Sequence, residues 1–460
     1  MTTTTGRAPL APPRVSGADE SYLLAEDLLG MSAPIQFLWV FDDDPGEQAV
    51  DSLRGALSIG SLHRAVRRTR IPAARHRWVR SSMPLSAIES GRIGDDEVGS
   101  WADERLRAAD LRPADGAGWR LESATTTDGR RVVSLLLSHM IADGQGVYRA
   151  LAAAHAGVET SLPAAHAVGS ARAVREDVVD GGRQLSAAGS SLRKLVRQAR
   201  QARHAGRGRG TASRPPAQAS APPNPIAAPR GGPDTTLAIV DIDRQAWHAR
   251  AREHNGTANS LFTALLAGVV HRSGLPIPGD LRVCIAVDKR TGDPDEGAAN
   301  ASGGVWIRLS EPVEPATRLD GIRALSKRAF IDYAESGADQ TADNLAPIVR
   351  LLPRRLVAKM MSSIPGPDTT VSNLGVAPRE SLEIGGVTAS SFAIRAIMQG
   401  MPADRRRRQG PALAAWAVEY GDKITLTFFG IHPDHFGDNE ILRKLVDDEL
   451  TGWDLDHGFW

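Results

Sequence analysis

A short break between two apolar patterns constrains this chain more than any other feature. The run Arg131-Val132-Val133-Ser134-Leu135-Leu136-Leu137 reads as a buried strand, entered from the hairpin signal Asp128-Gly129. From Val147 onward, Ala150, Leu151 and Ala154 follow the spacing of an amphipathic helix. The stretch Ser138-His139-Met140-Ile141-Ala142-Asp143-Gly144 must therefore turn a strand into a helix, and Gly144 and Gly146 permit the turn. It sets an imidazole and a carboxylate four positions apart at the end of a rigid element, where a side chain can project into a cleft. An imidazole titrates near neutral pH, and a placed general base contributes roughly 10² to 10⁴ in rate. The pair can also be read as two metal ligands, but no third ligand cluster stands nearby. Ser138 is not a nucleophile for His139, because neighbours at a strand end point to opposite faces. No glycine-flanked serine elbow occurs in the chain.

Composition narrows the class. With 460 residues, 42% hydrophobic and 24% charged, the chain reads as a folded globular protein of two or three domains' length. A net charge of +1 gives no case for nucleic-acid binding. The single cysteine, Cys284, excludes an internal disulfide framework and a multi-cysteine zinc site, and its strand-like surroundings predict a packing role. Met1-Thr2-Thr3-Thr4-Thr5 does not open a signal peptide, and no apolar run approaches the ~20 residues of a membrane span. The expectation is a cytoplasmic protein, soluble or held peripherally at the inner membrane face.

A Pro-, Ala-, Gly- and Arg-rich segment without apolar period divides the chain into an amino-terminal half (1–205), a crossover linker (206–234) and a carboxy-terminal half (235–460). Ala171 to Arg209 predicts a helix pair with Arg193, Lys194, Arg197, Arg200, Arg203, Arg207 and Arg209 beside a narrow apolar stripe of Leu192, Leu195 and Val196. Two readings stand for it: a solvated basic face, or attachment to anionic lipid or carrier phosphates. Pro34 to Asp42 predicts a strand and Val50 to Arg67 a helix. In the second half, Gly256 to Val270 predicts a buried helix capped by Thr257 or Asn259 and ended by Gly274. Leu281 to Asp288, Ala412 to Tyr420 and Lys423 to Ile431 predict strands, and Ile441 to Leu450 a closing helix.

His139-x-x-x-Asp143-Gly144 resembles the base motif of the chloramphenicol acetyltransferase-like superfamily, which includes wax ester synthase/diacylglycerol acyltransferases, polyketide-associated acyltransferases and condensation domains. The later segments follow the wax ester synthase-like order: Lys289-Arg290 after a strand, Asn300-Ala301-Ser302-Gly303 entering another, and Val371-Ser372-Asn373 ending a third. Two departures stand out. Ser138 replaces the first of two adjacent histidines, and Ser260 replaces the acid beside Asn259.

The resemblance implies an α/β (α+β) fold of two chloramphenicol acetyltransferase-like halves, each a mixed sheet with flanking helices, and an active-site tunnel between them. It implies an acyl-thioester-dependent O-acyltransferase without an acyl-enzyme and without a resident cofactor or metal. His139 is then the general base. Asp143 and Gly144 hold its loop, Asp143 in a buried ion pair for which Arg77 is the candidate arginine and Arg75 the second. Ser372 and Asn373 are candidate substrate-binding residues, orienting the acceptor or stabilising the oxyanion, or else residues that satisfy a turn. The implied partners are an acyl thioester donor, on coenzyme A or an acyl carrier protein, and a hydroxyl acceptor on a lipid, sugar-lipid or secondary metabolite. Peripheral membrane contact is a further candidate. A free-standing condensation domain is the enzyme alternative, and a non-catalytic scaffold is the alternative of another class. His432 and His435 suggest a metal or second base, against a polar loop ending at Asp434. Arg405-Arg406-Arg407-Arg408 reads as a solvated loop or a contact for a coenzyme A phosphate or carrier.

Overall fold

A computed structural model describes residues 13–71, 73–85, 88–159, 162–164, 171–207, 235–290, 299–336 and 346–460. The amino-terminal half runs α1 (Gly17–Leu29), β1 (Pro34–Phe41), α2 (Glu47–Ile59), β2 (Arg64–Arg67), β3 (Arg77–Arg80), β4 (Ile88–Ile93), α3 (Val98–Arg107), β5 (Trp119–Thr126), β6 (Arg131–Ser138), α4 (Gly144–His155) and α5 (Ala171–Arg207). The other half continues with β7 (Thr236–Asp243), α6 (Arg244–Glu253), α7 (Ala258–Arg272), β8 (Leu281–Asp288), β9 (Ser302–Leu309), α8 (Asp320–Ser336), α9 (Arg354–Met361) and β10 (Thr369–Val376). It closes with β11 (Glu383–Ile384), β12 (Val387–Thr388), β13 (Ser391–Ala396), α10 (Ala403–Arg408), β14 (Leu413–Tyr420), β15 (Lys423–Gly430), α11 (Asn439–Gly452) and β16 (His457–Phe459).

Two mixed sheets carry the fold. The first has five strands in the order β13-β1-β6-β5-β4, and the second has seven in the order β16-β7-β15-β14-β10-β8-β9. Antiparallel pairing dominates both, with parallel contacts at β4–β5, β10–β14 and β8–β10. The sheets do not divide where the sequence does. β13 lies beyond the crossover, yet it pairs antiparallel with β1, Phe37 opposite Ile394 and Trp39 opposite Phe392.

β1 shows why its sequence is apolar throughout. Alternate residues Ile35, Phe37, Trp39 and Phe41 enter one core with α2 and α4, while Leu38 and Val40 enter another with Val98, Trp101 and Ile239. A strand buried on both faces loses the polar alternation that marks a half-solvated one. The one polar residue inside it, Gln36, is fully buried and satisfied, donating to Ser134 Oγ at 2.8 Å and accepting from Arg395 Nε at 2.7 Å. In the second sheet, α7 is buried from Ser260 to Val270 and is capped by Thr257, whose hydroxyl accepts from Ser260 N at 3.2 Å.

Three expectations change. The helix predicted over 50–67 ends at Ile59, and Arg64–Arg67 instead pairs antiparallel with Arg77–Arg80. Gly60 is extended and ends the helix, after which Val66 turns inward opposite Trp78. The helix pair predicted over 171–209 is one helix of 37 residues, α5. Its inner face carries arginine–aspartate pairs, with Asp177 and Asp180 turned inward to Arg14, Arg77 and Arg75, beside the small apolar Ala173 and Ala188, while Leu192 is 56% exposed. The side chains of Lys194, Leu195, Val196, Arg200, Arg203 and Arg207, and all of residues 208–234 of the linker, Arg209 included, lie outside the described residues. The arginine run predicted as a loop forms α10, in which Arg406 is buried and donates to the Ile431 carbonyl at 3.1 Å, and Arg407 pairs with Asp434 at 2.8 Å. Among the described residues, no helix is long and apolar enough to cross a membrane.

Phe392 joins the two halves through its ring, whose centroid lies 5.9 Å from that of Phe37, 5.5 Å from that of Trp39 and 6.0 Å from that of Tyr420. Phe392→Ala is expected to lower the unfolding free energy by about 3–5 kcal/mol, measured by urea denaturation followed by tryptophan fluorescence.

Candidate active site

β6 carries the site to its place. Its last residue, Ser138, pairs with Pro34 of β1, and the following His139 N–H donates to the Ala33 carbonyl at 2.8 Å. Ser138 is buried, and its hydroxyl accepts from Met140 N at 3.3 Å, so it serves the turn. The chain then enters α4, whose N-cap is Asp143: one carboxylate oxygen accepts from Gly146 N at 2.8 Å. Gly144 gives close approach rather than a left-handed turn: a Cβ there would press on Cδ2 of Leu374, whose side chain would have to shift.

Asp143 does more than cap. The same oxygen pairs with Arg290 at 2.7 Å, both side chains being only 6% exposed, and the other oxygen accepts from Ala301 N at 2.8 Å. Burial opposes the charge on Arg290, but its bonds to Asp143 and Asp288 outweigh that and hold its pKa above the ordinary arginine value. The ion pair expected for Asp143 therefore forms with a residue from the end of β8. Arg77 is not its partner. It donates to Glu176 at 2.9 Å, to Asp177 at 2.8 Å and to the Ala173 carbonyl, while Arg75 pairs with Asp180 at 2.7 Å. The reason is positional: β2 and β3 form a separate ribbon against α5, whereas Asp143 faces the carboxy-terminal half, where Arg290 arrives.

Asn300 and two residues of α1 complete the histidine's surroundings. His139 Nδ1 lies 2.8 Å from Asn300 Oδ1. The amide's nitrogen end is already committed, donating to Asp19 Oδ1 at 3.0 Å and to the Met140 carbonyl at 3.2 Å, neither of which can donate in return. A flipped amide would set oxygen against oxygen, so Oδ1 faces the imidazole and Nδ1 carries the proton. Nε2 then holds the lone pair, and it makes no hydrogen bond among the described residues. Tyr22 stacks on the ring, with centroids 4.7 Å apart and planes at 16°. Burial, and then the nearby carboxylates of Asp143 and Asp19, raise the Tyr22 phenol's pKa, so it stays neutral.

The imidazole lines a cavity of about 500 Å³ between the two sheets. Ile35, Ile394 and Ala396 of the first sheet supply an apolar wall, and Thr370, Ser372, Cys284 and Trp416 of the second face it. Strand alternation explains that selection. On β8, Val283 and Ile285 enter the core and Cys284 and Ala286 line the cavity; on β10, Val371 is buried and Thr370 and Ser372 line it. Cys284, predicted to pack in the core, is thus half-buried in the cavity wall, and burial pushes its thiol up to about 11. Asn373 also lines the cavity; its Nδ2 donates to Asn259 Oδ1 at 2.6 Å, and its Oδ1 accepts from Gly375 N at 2.8 Å. One amide N–H remains for another acceptor.

The structure thus brings His139, Asp143, Gly144, Ser372 and Asn373 together and leaves Arg77 elsewhere. His435 Nδ1–H donates to the Ser273 carbonyl and Asp434 pairs with Arg407, away from the cavity. Asp19 and Tyr22 were not legible as site residues. The only local signal is Ser16-x-x-Asp19, a capping box that the structure contains.

No family model and no curated protein matches the chain. Solved structures do match. The wax ester synthase/diacylglycerol acyltransferase from Marinobacter aquaeolei VT8 is similar over 96% of this chain and 98% of its own, at 14% identity and a TM-score of 0.56. The first condensation domain of the CDA synthetase is similar over 97% of both chains, at 15% identity and a TM-score of 0.57. The condensation domain of the Monacolin K polyketide synthase MokA covers 97% of both chains at 13% identity with a TM-score of 0.56. The chain has the two-lobed, chloramphenicol acetyltransferase-like fold of these proteins.

Two outcomes are expected. Arg290→Leu leaves the buried Asp143 carboxylate unpaired and should cost about 3–5 kcal/mol, with the double variant Asp143→Asn/Arg290→Leu costing less than the sum of the singles in denaturation experiments; additive losses would contradict the pairing. Alkylation of Cys284 should be slow at neutral pH and accelerate about tenfold per pH unit up to roughly pH 10, because the raised pKa keeps the thiol protonated below that. Mass spectrometry of the singly labelled chain measures it.

Proposed function

We propose that the protein is an acyltransferase that moves an acyl group from a thioester to a hydroxyl acceptor, with His139 as the general base. One observation carries the reading: Asn300 Oδ1 accepts the hydrogen bond of His139 Nδ1–H, leaving Nε2 without a partner among the described residues on a ring that lines the inter-sheet cavity. In the first step the acceptor O–H proton passes to Nε2 as its oxygen attacks the thioester carbonyl carbon. The resulting oxyanion collapses, the C–S bond breaks, and the thiolate leaves with the proton returned by the imidazolium. No acyl-enzyme is needed.

The cavity residues take definite parts in this scheme. The Asn373 N–H not used on Asn259 and the Ser372 hydroxyl are the donors proposed for the oxyanion or the acceptor. Asp143 touches no reacting atom; it holds the loop through Arg290, Gly146 and Ala301. The apolar wall of Ile35, Ile394 and Ala396 suits an acyl chain, each buried methylene of which adds about 0.8 kcal/mol. The similarity to a wax ester synthase/diacylglycerol acyltransferase supports acyl transfer to an alcohol. Ser138 and Ser260 depart from that pattern and weaken the assignment to the wax ester synthase branch, so a second reading stands beside it in which carrier-bound chains are joined, as in condensation domains.

The test is thiol release from acyl-coenzyme A donors of graded chain length, with alcohol, sugar-lipid and amine acceptors. Acceptor-dependent release should fall at least about a hundredfold in His139→Ala. An undiminished rate in that variant would overturn the mechanism, and turnover only with carrier-loaded donors would select the second reading.

A further inference from the structure

We propose that Asp19 is a positioning residue of this site, setting the tautomer of His139 through Asn300; the proposal rests on the reading of His139 as the base. Asp19 is fully buried in the first turn of α1, remote in sequence from both partners. One of its oxygens accepts twice from Asn300, from the backbone N–H at 2.9 Å and from Nδ2 at 3.0 Å. The other accepts from Ser16 N at 3.1 Å and Trp78 Nε1 at 3.4 Å. Every group around the carboxylate is a donor, so it can only accept, and it anchors the amide of Asn300 in one orientation.

The consequence reaches the imidazole. Asn300 has two side-chain N–H groups, one on Asp19 and one on the Met140 carbonyl, which leaves only its oxygen for His139 Nδ1. An imidazole without such a partner prefers its proton on Nε2, the atom that must accept from the acceptor. Asp19 therefore selects the tautomer that can act as base. The neutral amide between carboxylate and ring transmits orientation with less charge than a carboxylate placed directly on Nδ1–H would. Tyr22, one turn along from Asp19 on the same helix, covers the face of the ring and fixes its plane.

Substituting Asp19→Asn tests this without changing size. Whichever way the new amide turns, its NH2 group meets one of the donors that the carboxylate now accepts from. The readout is the ¹⁵N spectrum of histidine-labelled full-length protein, with the His139 signal assigned by its absence in His139→Ala. Wild type should carry the proton on Nδ1. Asp19→Asn and Asn300→Ala should each shift the population towards Nε2–H and lower kcat at least tenfold, with the donor KM changed less than about threefold. The double variant should lose no more than either single, because both act through one hydrogen-bonded chain.

A wild-type proton on Nε2 would overturn the proposal by itself. So would variants that stay folded by circular dichroism and retain the Nδ1–H tautomer. Should Asp19→Asn not fold, Asp19→Ser replaces it in the same comparison. The tautomer is read in the resting protein, so the result stands apart from the transfer assay: inactivity of wild type on every thioester would sink the acyltransferase reading while leaving the tautomer measurement intact.

Discussion

The buried pair of Asp143 and Arg290 is the interaction on which the rest of the site depends. Removing two charges from water costs several kcal/mol per ion, and the pair is tolerated because its geometry is close and its remaining lone pairs are filled. Asp143 receives Arg290, the Gly146 N–H and the Ala301 N–H, so one carboxylate starts α4, ends the histidine turn and grips the strand entry of the other half. Arg290 in turn donates to Asp288 at 2.9 Å. These contacts join those of Asn300 with His139 and the Met140 carbonyl in holding the 139–143 turn against the segment that enters β9.

That segment gives the histidine its chemical identity. Asn300 follows from the same anchoring: Ala301 is held by Asp143, and Asn300 beside it is held by Asp19. Three stretches far apart in sequence, α1, the turn after β6 and the entry to β9, therefore converge on one imidazole. Two buried carboxylates divide the work, Asp143 placing the loop and Asp19 directing the amide that faces the ring.

The cavity is shared in the same way. β13 crosses from the carboxy-terminal half to pair with β1, and its Ile394 and Ala396 form the apolar wall that faces Ser372 and Cys284. The wall and His139 thus belong to one sheet built from both halves. Phe392 and Arg395 on the same strand are buried among Phe37, Trp39 and Gln36, so cavity shape and core packing are coupled. A side chain cannot change on one face of β13 without being felt on the other, because the interior is close-packed.

Much of this was legible in the residues alone. The apolar run before Ser138, the helix spacing after Val147 and the motif between them specified strand, turn and helix, because local periodicity and the turn's short length admit no other order. Motif order placed Ser372 and Asn373 near His139, and the fold agrees with the resemblance. The 50–67 segment failed because a helical apolar spacing continues past Gly60 into residues that the β3 strand claims. The partner of Asp143 failed for a different reason: several arginines can meet one carboxylate in sequence, and Arg77 is drawn instead to the acids of α5. What the sequence by itself determined is the element that presents His139; a buried counter-charge at Asp143 was implied by the family resemblance. Only the tertiary structure decided which arginine supplies that charge, which nitrogen of His139 bears the proton and which strand walls the cavity, because each is set by contacts between segments more than a hundred residues apart, where periodicity carries no information.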